Sequence, residues 1–218
     1  MFLEECRICK SKKIDDIVDL GMHPPADTFI PKEFTYSTLP SYPLRLIKCR
    51  ACHHVSTKYY VTPEERYQKY EYSYDSSNSK VAESHFNEFA KSVISSSSIS
   101  KKSLIIDIGG NVGTLLSKFK AQGFNNVLNI EPSENISKMS VKNGIRTINK
   151  FYDESIEDIK KVGAVDCVLS SNVLNHTDDI NSVLEDTKEI LSSDGVLVFE
   201  VPYLFDLVEQ VAFDTIYH

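Results

Sequence analysis

From residue 103 onward the apolar positions fall into short strand-like runs separated by stretches of helical period. Leu104-Ile105-Ile106-Asp107-Ile108 is a β-branched run closed by a glycine turn, and Leu115, Leu116 and Phe119 follow at helical spacing. Val127 to Ile130 repeats the strand pattern and ends at Glu131-Pro132. A helix from Glu134 to Lys142 leads to a third strand over Ile145 to Ile148, and Val165 to Leu169 makes a fourth. The helix from Asp178 to Leu191 places Ile180, Val183, Leu184, Thr187, Ile190 and Leu191 on one face. Asp194-Gly195 turns it into a fifth strand, Val196 to Val201. Strands alternating with helices at this pitch predict an α/β fold with a doubly wound, mainly parallel sheet.

The first 102 residues read differently. Residues 1–60 show little periodicity, several prolines (Pro24, Pro25, Pro31, Pro40, Pro43) and short apolar runs such as Leu44-Arg45-Leu46-Ile47. That pattern suits a small lobe organised by something other than a full core. Thr62-Pro63-Glu64-Glu65 starts a helix that carries Tyr67 and Tyr70. A second helix is predicted from Ser79 to Ser95, with Val81, His85, Phe89 and Val93 four residues apart, before the serine run Ser95 to Ser98. The expected organisation is a lobe over 1–60, a helical connector over 61–102 and an α/β domain over 103–218.

Four of the five cysteines supply the lobe's organiser. Cys6–Cys9 and Cys49–Cys52 are two C-x-x-C pairs, the donor set of a closed, tetrahedral, structural Zn²⁺ site. A redox motif needs only one such pair beside a βαβ unit. His53 and His54 adjoin Cys52 as substitute ligands, and Cys167 lies in an apolar strand as a core thiol. Met1-Phe2-Leu3-Glu4-Glu5 lacks an apolar signal-peptide core, and no run reaches membrane-spanning length. Reduced cysteine pairs then point to a cytoplasmic setting.

Charge narrows the partners. Residues 1–102 carry 15 basic against 13 acidic side chains, and the remainder 9 against 18, within a net charge of −7. An acidic body without a basic stripe argues against nucleic acid.

The loop Asp107-Ile108-Gly109-Gly110-Asn111-Val112-Gly113 follows the first α/β strand, where glycines let backbone approach a ligand at a helix N-terminus. Glu131, at the tip of the second strand, stands where a carboxylate accepts ribose hydroxyls. The pair suits NAD or S-adenosylmethionine. Asp107 at the head of the loop would repel a pyrophosphate and suits the amino-acid end of a sulfonium cofactor, so S-adenosylmethionine is the expected ligand. Asp107, Gly109, Asn111, Gly113, Glu131 and Pro132 are its candidate contacts. Ser170-Ser171-Asn172-Val173-Leu174-Asn175-His176 follows the fourth strand, at the edge where such sheets bind ligands. Ser171 and Asn172 join the cofactor candidates. His176 suits acid–base work or donation to an oxyanion, against the plain alternative of a loop histidine without duty. Tyr67, Tyr70, Tyr72 and Tyr74, with Ser76, Ser77 and Ser79, read on their own as packing.

The layout resembles the C-methyltransferases of deoxysugar biosynthesis. Leu20-Gly21 with Pro24, Pro25, Ala26 and Phe29 is similar to that family's L-G-x-x-P-x-A-x-x-F. Tyr42-Pro43-Leu44 before Cys49, Tyr72-x-Tyr74 with Ser76-Ser77, and His85-Phe86 are similar to further segments. So are Asn111-x-Gly113-Thr114-Leu115-Leu116, Glu131-Pro132-Ser133 and Asn172 to His176. Val112 stands where the family has an acidic residue. The resemblance implies a zinc lobe, an S-adenosylmethionine-binding Rossmann-like domain and a nucleotide-linked keto-sugar substrate. It also implies that Tyr74, His176 and Tyr217 hold the keto oxygen or orient the base. In the family Y-H-E-H provides that base and a C-terminal domain follows; this sequence reaches Tyr217-His218. The chain is therefore expected to bind cofactor and to transfer methyl groups weakly without a further domain or subunit. Two other classes are a non-catalytic remnant that binds a partner and a zinc-lobe rRNA methyltransferase.

Overall fold

The computed structural model describes residues 2–24, 26, 40–67, 74–77 and 79–212. It divides into two compact units. One comprises Met1–Ser73, Asn175–Asn181 and Pro202–His218; the other comprises Tyr74–Leu174 and Ser182–Val201.

In the first unit the aperiodic N-terminal stretch forms an antiparallel sheet in the order β1 (Ile14–His23), β2 (Tyr42–Cys49), β3 (Val55–Thr57). Register slips between Asp16 and Val18 and between Asp19 and Met22 break the alternation of β1, leaving Ile17 52% exposed. These bulges hide the strand's period of two from the sequence. Leu46, Ile47 and Cys49 of β2 are buried. Helix α1 (Pro63–Tyr67) follows, a single turn.

The second unit begins with α2 (Lys80–Ser96), whose Ser79 cap accepts from the Ala82 amide. There follow β4 (Ile105–Ile108), α3 (Thr114–Ala121), β5 (Val127–Ile130), α4 (Glu134–Lys142) and β6 (Thr147–Ile148). Then come α5 (Tyr152–Val162), β7 (Val165–Ser171), α6 (Ile180–Ile190) and β8 (Leu191–Glu200). Strand order is β6-β5-β4-β7-β8, every pair parallel. The chain winds outward from β4 through β5 to β6, then returns to β7 on the other side of β4. That reversal opens a crevice at the carboxyl ends of β4 and β7, the ligand edge of a doubly wound sheet. Helix α7 (Leu204–Glu209) belongs to the first unit.

All residues of β4 and β5 are buried, as parallel strands covered on both faces require. Ile105, Cys167 and Leu169 pack with Ala90 and Val93 of α2 and with Leu115, Leu116 and Phe119 of α3. The alternate residues Ile106, Ile108, Val168 and Leu128 pack with Tyr152, Ile156 and Ile159 of α5 and Ile190 of α6. Each such side chain contributes about 1.5–3 kcal/mol by leaving water. Burial pushes the Tyr152 phenol up to about 12; its hydroxyl pairs with Thr187 at 3.0 Å.

One strand boundary and one buried face differ from the sequence pattern. β8 starts at Leu191 rather than Val196, so Asp194-Gly195 lies inside a strand. A Cβ on Gly195 would stand 2.8 Å from the Val165 carbonyl, and the β7–β8 register shifts between Val165 and Cys167. The turn signal marks a bulge. Leu184, expected on the buried face of α6, is 41% exposed, while Thr187 and Ile190 are buried.

Gly113 caps α3 with φ +81, and a Cβ there would meet Ile145 Cγ1 at 2.6 Å and Ser140 Oγ at 3.0 Å. Gly113→Ala combines a left-handed residue with overpacking and is expected to cost about 1–3 kcal/mol. A lower urea midpoint is the readout; an unchanged one would show that Ile145 yields.

Candidate functional site

The four sequence-predicted thiols converge: Cys6, Cys9, Cys49 and Cys52 Sγ all lie within 4.8 Å of one another. Cys6–Cys52 and Cys9–Cys49 are each separated by 3.6 Å. Thiolates about 2.3 Å from a tetrahedral zinc stand roughly 3.8 Å apart, so the cluster fits the ion. The two knuckles are built alike. Lys10 N–H donates to Cys6 O and His53 N–H to Cys49 O, each at 3.0 Å, with Lys10 and His53 both left-handed. Cys6 N–H donates to Ser11 O and Cys49 N–H to His54 O. Backbone N–H groups of Cys52 and Ala51 stabilise the Cys49 thiolate and bring it down to about 6. The His54 amide acts the same way on Cys52, but burial and the neighbouring thiols Cys9, Cys6 and Cys49 push it up to about 12. Four thiolates at this spacing repel unless a dication sits among them. Neither His53 nor His54 joins the cluster. The cluster is a structural zinc site.

The glycine loop closes over two buried carboxylates. Glu131 Oε2 accepts the Asn111 amide at 3.1 Å and Oε1 the Ser133 amide at 2.9 Å. Each oxygen keeps one lone pair. Burial raises Glu131, while the Ser133 and Asn111 amides pull it back. Asp107 is held well above the carboxylate range by burial first and by the charge of Glu131 second. Asp107 Oδ1 and Asn129 Oδ1 are buried acceptors without a protein donor. A Cβ on Gly110 would fall 2.4 Å from Asn129 Oδ1 and 2.7 Å from Asp107 Oδ2, so only glycine lets the loop pass. Gly109 takes φ +62, and a Cβ there would strike Val173. Asn111 also sits left-handed, and its side chain is engaged: Nδ2 donates to Tyr74 O at 2.9 Å and Oδ1 accepts from Ser76 N–H at 3.0 Å. Pro132 is half-buried beside Glu131. Open lone pairs and donor-seeking acceptors under a close-approach loop fit the hydroxyls and ammonium of S-adenosylmethionine.

At the carboxyl ends of β7 and β8, Ser171 Oγ and Asn172 Nδ2 donate to Glu200 Oε1 at 3.1 and 3.2 Å. Glu200 Oε2 meets His85 Nε2 at 2.6 Å. The sequence reading missed Glu200, although an acid ending a strand is the signal that marks Glu131.

Elsewhere, His176 follows β7 in a 3₁₀ turn (Leu174–His176) and falls in the first unit. Its Nδ1 lies 3.1 Å from Arg66 Nη2. A guanidinium only donates, so Nδ1 accepts and the proton of the neutral ring sits on Nε2. In the same unit Arg7, between two zinc ligands, pairs with Asp178 at 2.8 Å, and Asn181 donates to Ile8 O at 2.9 Å. Tyr74 is 49% exposed. Tyr217 lies outside the described residues, as do Phe29, Pro25, Pro31, Tyr70, Tyr72 and His218.

Two expectations test this geometry. Because Asp107 is raised in the fold, its contribution is complete below its ordinary value of 3.8 and is lost as pH rises toward the raised value. Asp107→Asn stays neutral and should raise the melting temperature of cofactor-free protein at mildly alkaline pH, the gain vanishing in acid. Equal melting curves across pH would place the charge elsewhere. Purified protein should hold close to one zinc per chain, and Cys49→Ser should release it and melt the lobe first, since metal binding and folding are coupled. Metal-free protein with an unchanged melting curve would contradict this.

Comparison with known proteins agrees. A family model described as "Methyltransferase domain" matches residues 81–216, and one described as "Putative zinc binding domain" matches residues 6–67. The chain is 25% identical over 218 residues to the C-methyltransferase NovU of Streptomyces niveus, covering 99% of this chain and 51% of that protein. It thus spans about half the length of this curated relative. The cyclopropane synthase MmaA2 of Mycobacterium tuberculosis aligns over 57% of this chain and 46% of its own, with TM-score 0.48 and 18% identity. A SAM-dependent methyltransferase from Agrobacterium tumefaciens aligns over 53% and 42%, with TM-score 0.43 and 18% identity. With the domain match covering more than half of its residues, the chain belongs to the S-adenosylmethionine-dependent methyltransferases and carries a zinc-binding lobe ahead of the methyltransferase domain.

Proposed function

We propose that this chain transfers the methyl group of S-adenosylmethionine to a carbon atom of a nucleotide-linked keto-deoxysugar, in the cytoplasm. The observation that carries the reading is the likeness to a C-methyltransferase, which runs through both the zinc lobe and the methyltransferase domain. An acidic second half supports a small-molecule acceptor over RNA.

When bound, the cofactor supplies an electrophilic methyl group. Glu131 accepts the ribose hydroxyls on its remaining lone pairs, and Gly109 and Gly113 let the backbone approach. Asp107 and Asn111 shape the loop, with Pro132, Ser171 and Asn172 completing the contacts. A carbon next to a ketone becomes a nucleophile once it loses a proton, so the protein must hold the keto oxygen and take that proton. His176 offers an Nε2–H, and its role in this reading is donation to the developing oxyanion. Tyr74 and Tyr217 are the further donors proposed for that oxygen. Zinc takes no part in the chemistry.

Glu131→Ala removes the ribose acceptor and is expected to weaken S-adenosylhomocysteine binding by about 1–3 kcal/mol, read by calorimetry. NAD should not bind. Tight NAD binding, or indifference to Glu131→Ala, would reverse the cofactor assignment. Formation of a carbon-linked methyl group on a nucleotide-linked 4-keto-deoxysugar, followed by NMR, tests the acceptor.

A further inference from the structure

We propose that Asn111 is a positioning residue that ties Tyr74 to the cofactor loop, so that filling the ribose acceptor Glu131 fixes where Tyr74 stands. The inference rests on the acceptor reading above for the duty of Tyr74 alone; the tie itself requires only the cofactor.

Asn111 is 9% exposed, and each of its four polar atoms has a partner. Its backbone serves the buried layer: N–H donates to Glu131 Oε2 at 3.1 Å, and O accepts from Asn129 Nδ2 at 2.8 Å. Its side chain holds a separate stretch of chain. Nδ2 donates to Tyr74 O at 2.9 Å, and Oδ1 accepts from Ser76 N–H at 3.0 Å. One amide thus meets the carbonyl of one residue and the N–H of the second residue on, as a parallel strand would. Ser76 Oγ pairs with Thr114 Oγ1 at 3.1 Å, fixing the same stretch to the first residue of α3. Asp75 Oδ1 accepts from Ser77 N–H and Oγ–H and turns the chain toward the Ser79 cap of α2. All these residues belong to the second unit.

The turn alone does not call for this side chain. Asn111 takes φ +53, a conformation that glycine adopts at no steric cost, and Gly109, Gly110 and Gly113 already stand in the loop. What asparagine adds is the grip on residues 74 and 76. Ser76 is 6% exposed, so its buried N–H needs that partner. Tyr74 is 49% exposed, so the place of its phenol depends on the backbone that carries it.

The route from ligand to Tyr74 is short. Ribose hydroxyls that donate to the remaining lone pairs of Glu131 hold the same carboxylate that accepts the Asn111 N–H. With the loop backbone held, the Asn111 side chain keeps one place, and so do the peptides it grips. A ligand shifts a second position only by favouring one arrangement, here the one with Glu131, Asn111 and residues 74–76 bonded together. The donor for the keto oxygen is then in place when the methyl donor is.

The chain contains no tryptophan, so Tyr74→Trp puts a single fluorophore at the end of the tie. S-Adenosylhomocysteine, with saturation checked by calorimetry, should shift its emission maximum. Asn111→Gly keeps the left-handed turn and the N–H to Glu131; added to Tyr74→Trp, it should abolish most of that shift at saturation. Thr114→Val should reduce the shift and carries the comparison if Asn111→Gly does not fold. An undiminished shift in these variants overturns the inference, as does Tyr74→Trp that binds S-adenosylhomocysteine without any shift. With tyrosine restored and S-adenosylmethionine saturating, Asn111→Gly should lower kcat for a nucleotide-linked 4-keto-deoxysugar by up to roughly 10²-fold. In a Tyr74→Phe background it should cost little more, because both changes remove one interaction. Losses that simply multiply overturn the inference. A wild-type chain that leaves this sugar unmethylated, with the emission response intact, overturns the acceptor reading and supports the tie.

Discussion

Asp107 and Asn129 face each other because β4 and β5 are parallel and in register, and that pairing delivers Asp107 and Glu131 to one end of the sheet. Burying two carboxylates there is the constraint from which the rest of the site follows. Neither can be left unsatisfied without a penalty of about 1–3 kcal/mol or more. Glu131 is met by backbone: the Asn111 and Ser133 amides must turn toward it, which bends the loop and puts Asn111 in the left-handed region. Asn129 then donates to Asn111 O and Ser140 Oγ, and Gly110 must lack a Cβ to pass over Asn129 and Asp107. Asp107 is left with burial and a like charge, and both favour its neutral form. The loop is shaped by its need to serve Glu131, and the ligand inherits that shape.

How much of this was legible follows from the range of each interaction. The cysteine pairs and the glycine loop are local spacings, and Glu131 ends a recognisable strand; all three could be read from neighbouring residues. The parallel sheet was readable because fully buried strands need unbroken apolar runs, as in Ile105–Ile108 and Val127–Ile130. β1 was not, since its two slips destroy the alternation and six of its ten residues face water. Helix α5 escaped because Tyr152-Asp153-Glu154-Ser155-Ile156 shows only one aliphatic residue, its buried face being completed by Tyr152, Ser155 and Ile159. The His85–Glu200 contact joins positions 115 residues apart and leaves no local trace. The hydrogen bond of Arg66 to His176, 110 residues apart, is equally silent, yet it bears directly on which ring nitrogen carries the proton.

The zinc lobe does more than fold around an ion. Arg7 and Ile8 occupy the two positions between Cys6 and Cys9, and both bind the segment 175–181 within the same unit, through Asp178 and Asn181. Burial raises Asp178, and the charge and hydrogen bond of Arg7 pull against that rise. A knuckle's intervening residues are held rigid by the metal on either side, which makes them good anchors for a segment that begins next to His176. Residues chosen for spacing in the sequence thus acquire a positional duty in the fold.

Glu131 and Glu200 occupy the same topological place, each at the carboxyl end of a parallel strand, and differ only in surroundings. Glu131 is 4% exposed and satisfied by two amides that cannot accept a proton, so it is suited to fixed hydrogen bonding of neutral hydroxyls. Glu200 is more open, its side chain 29% exposed, and its oxygens meet the side chains of Ser171, Asn172 and His85. Parallel topology lines up both acids on a single edge; burial and partner chemistry then give the two carboxylates different surroundings.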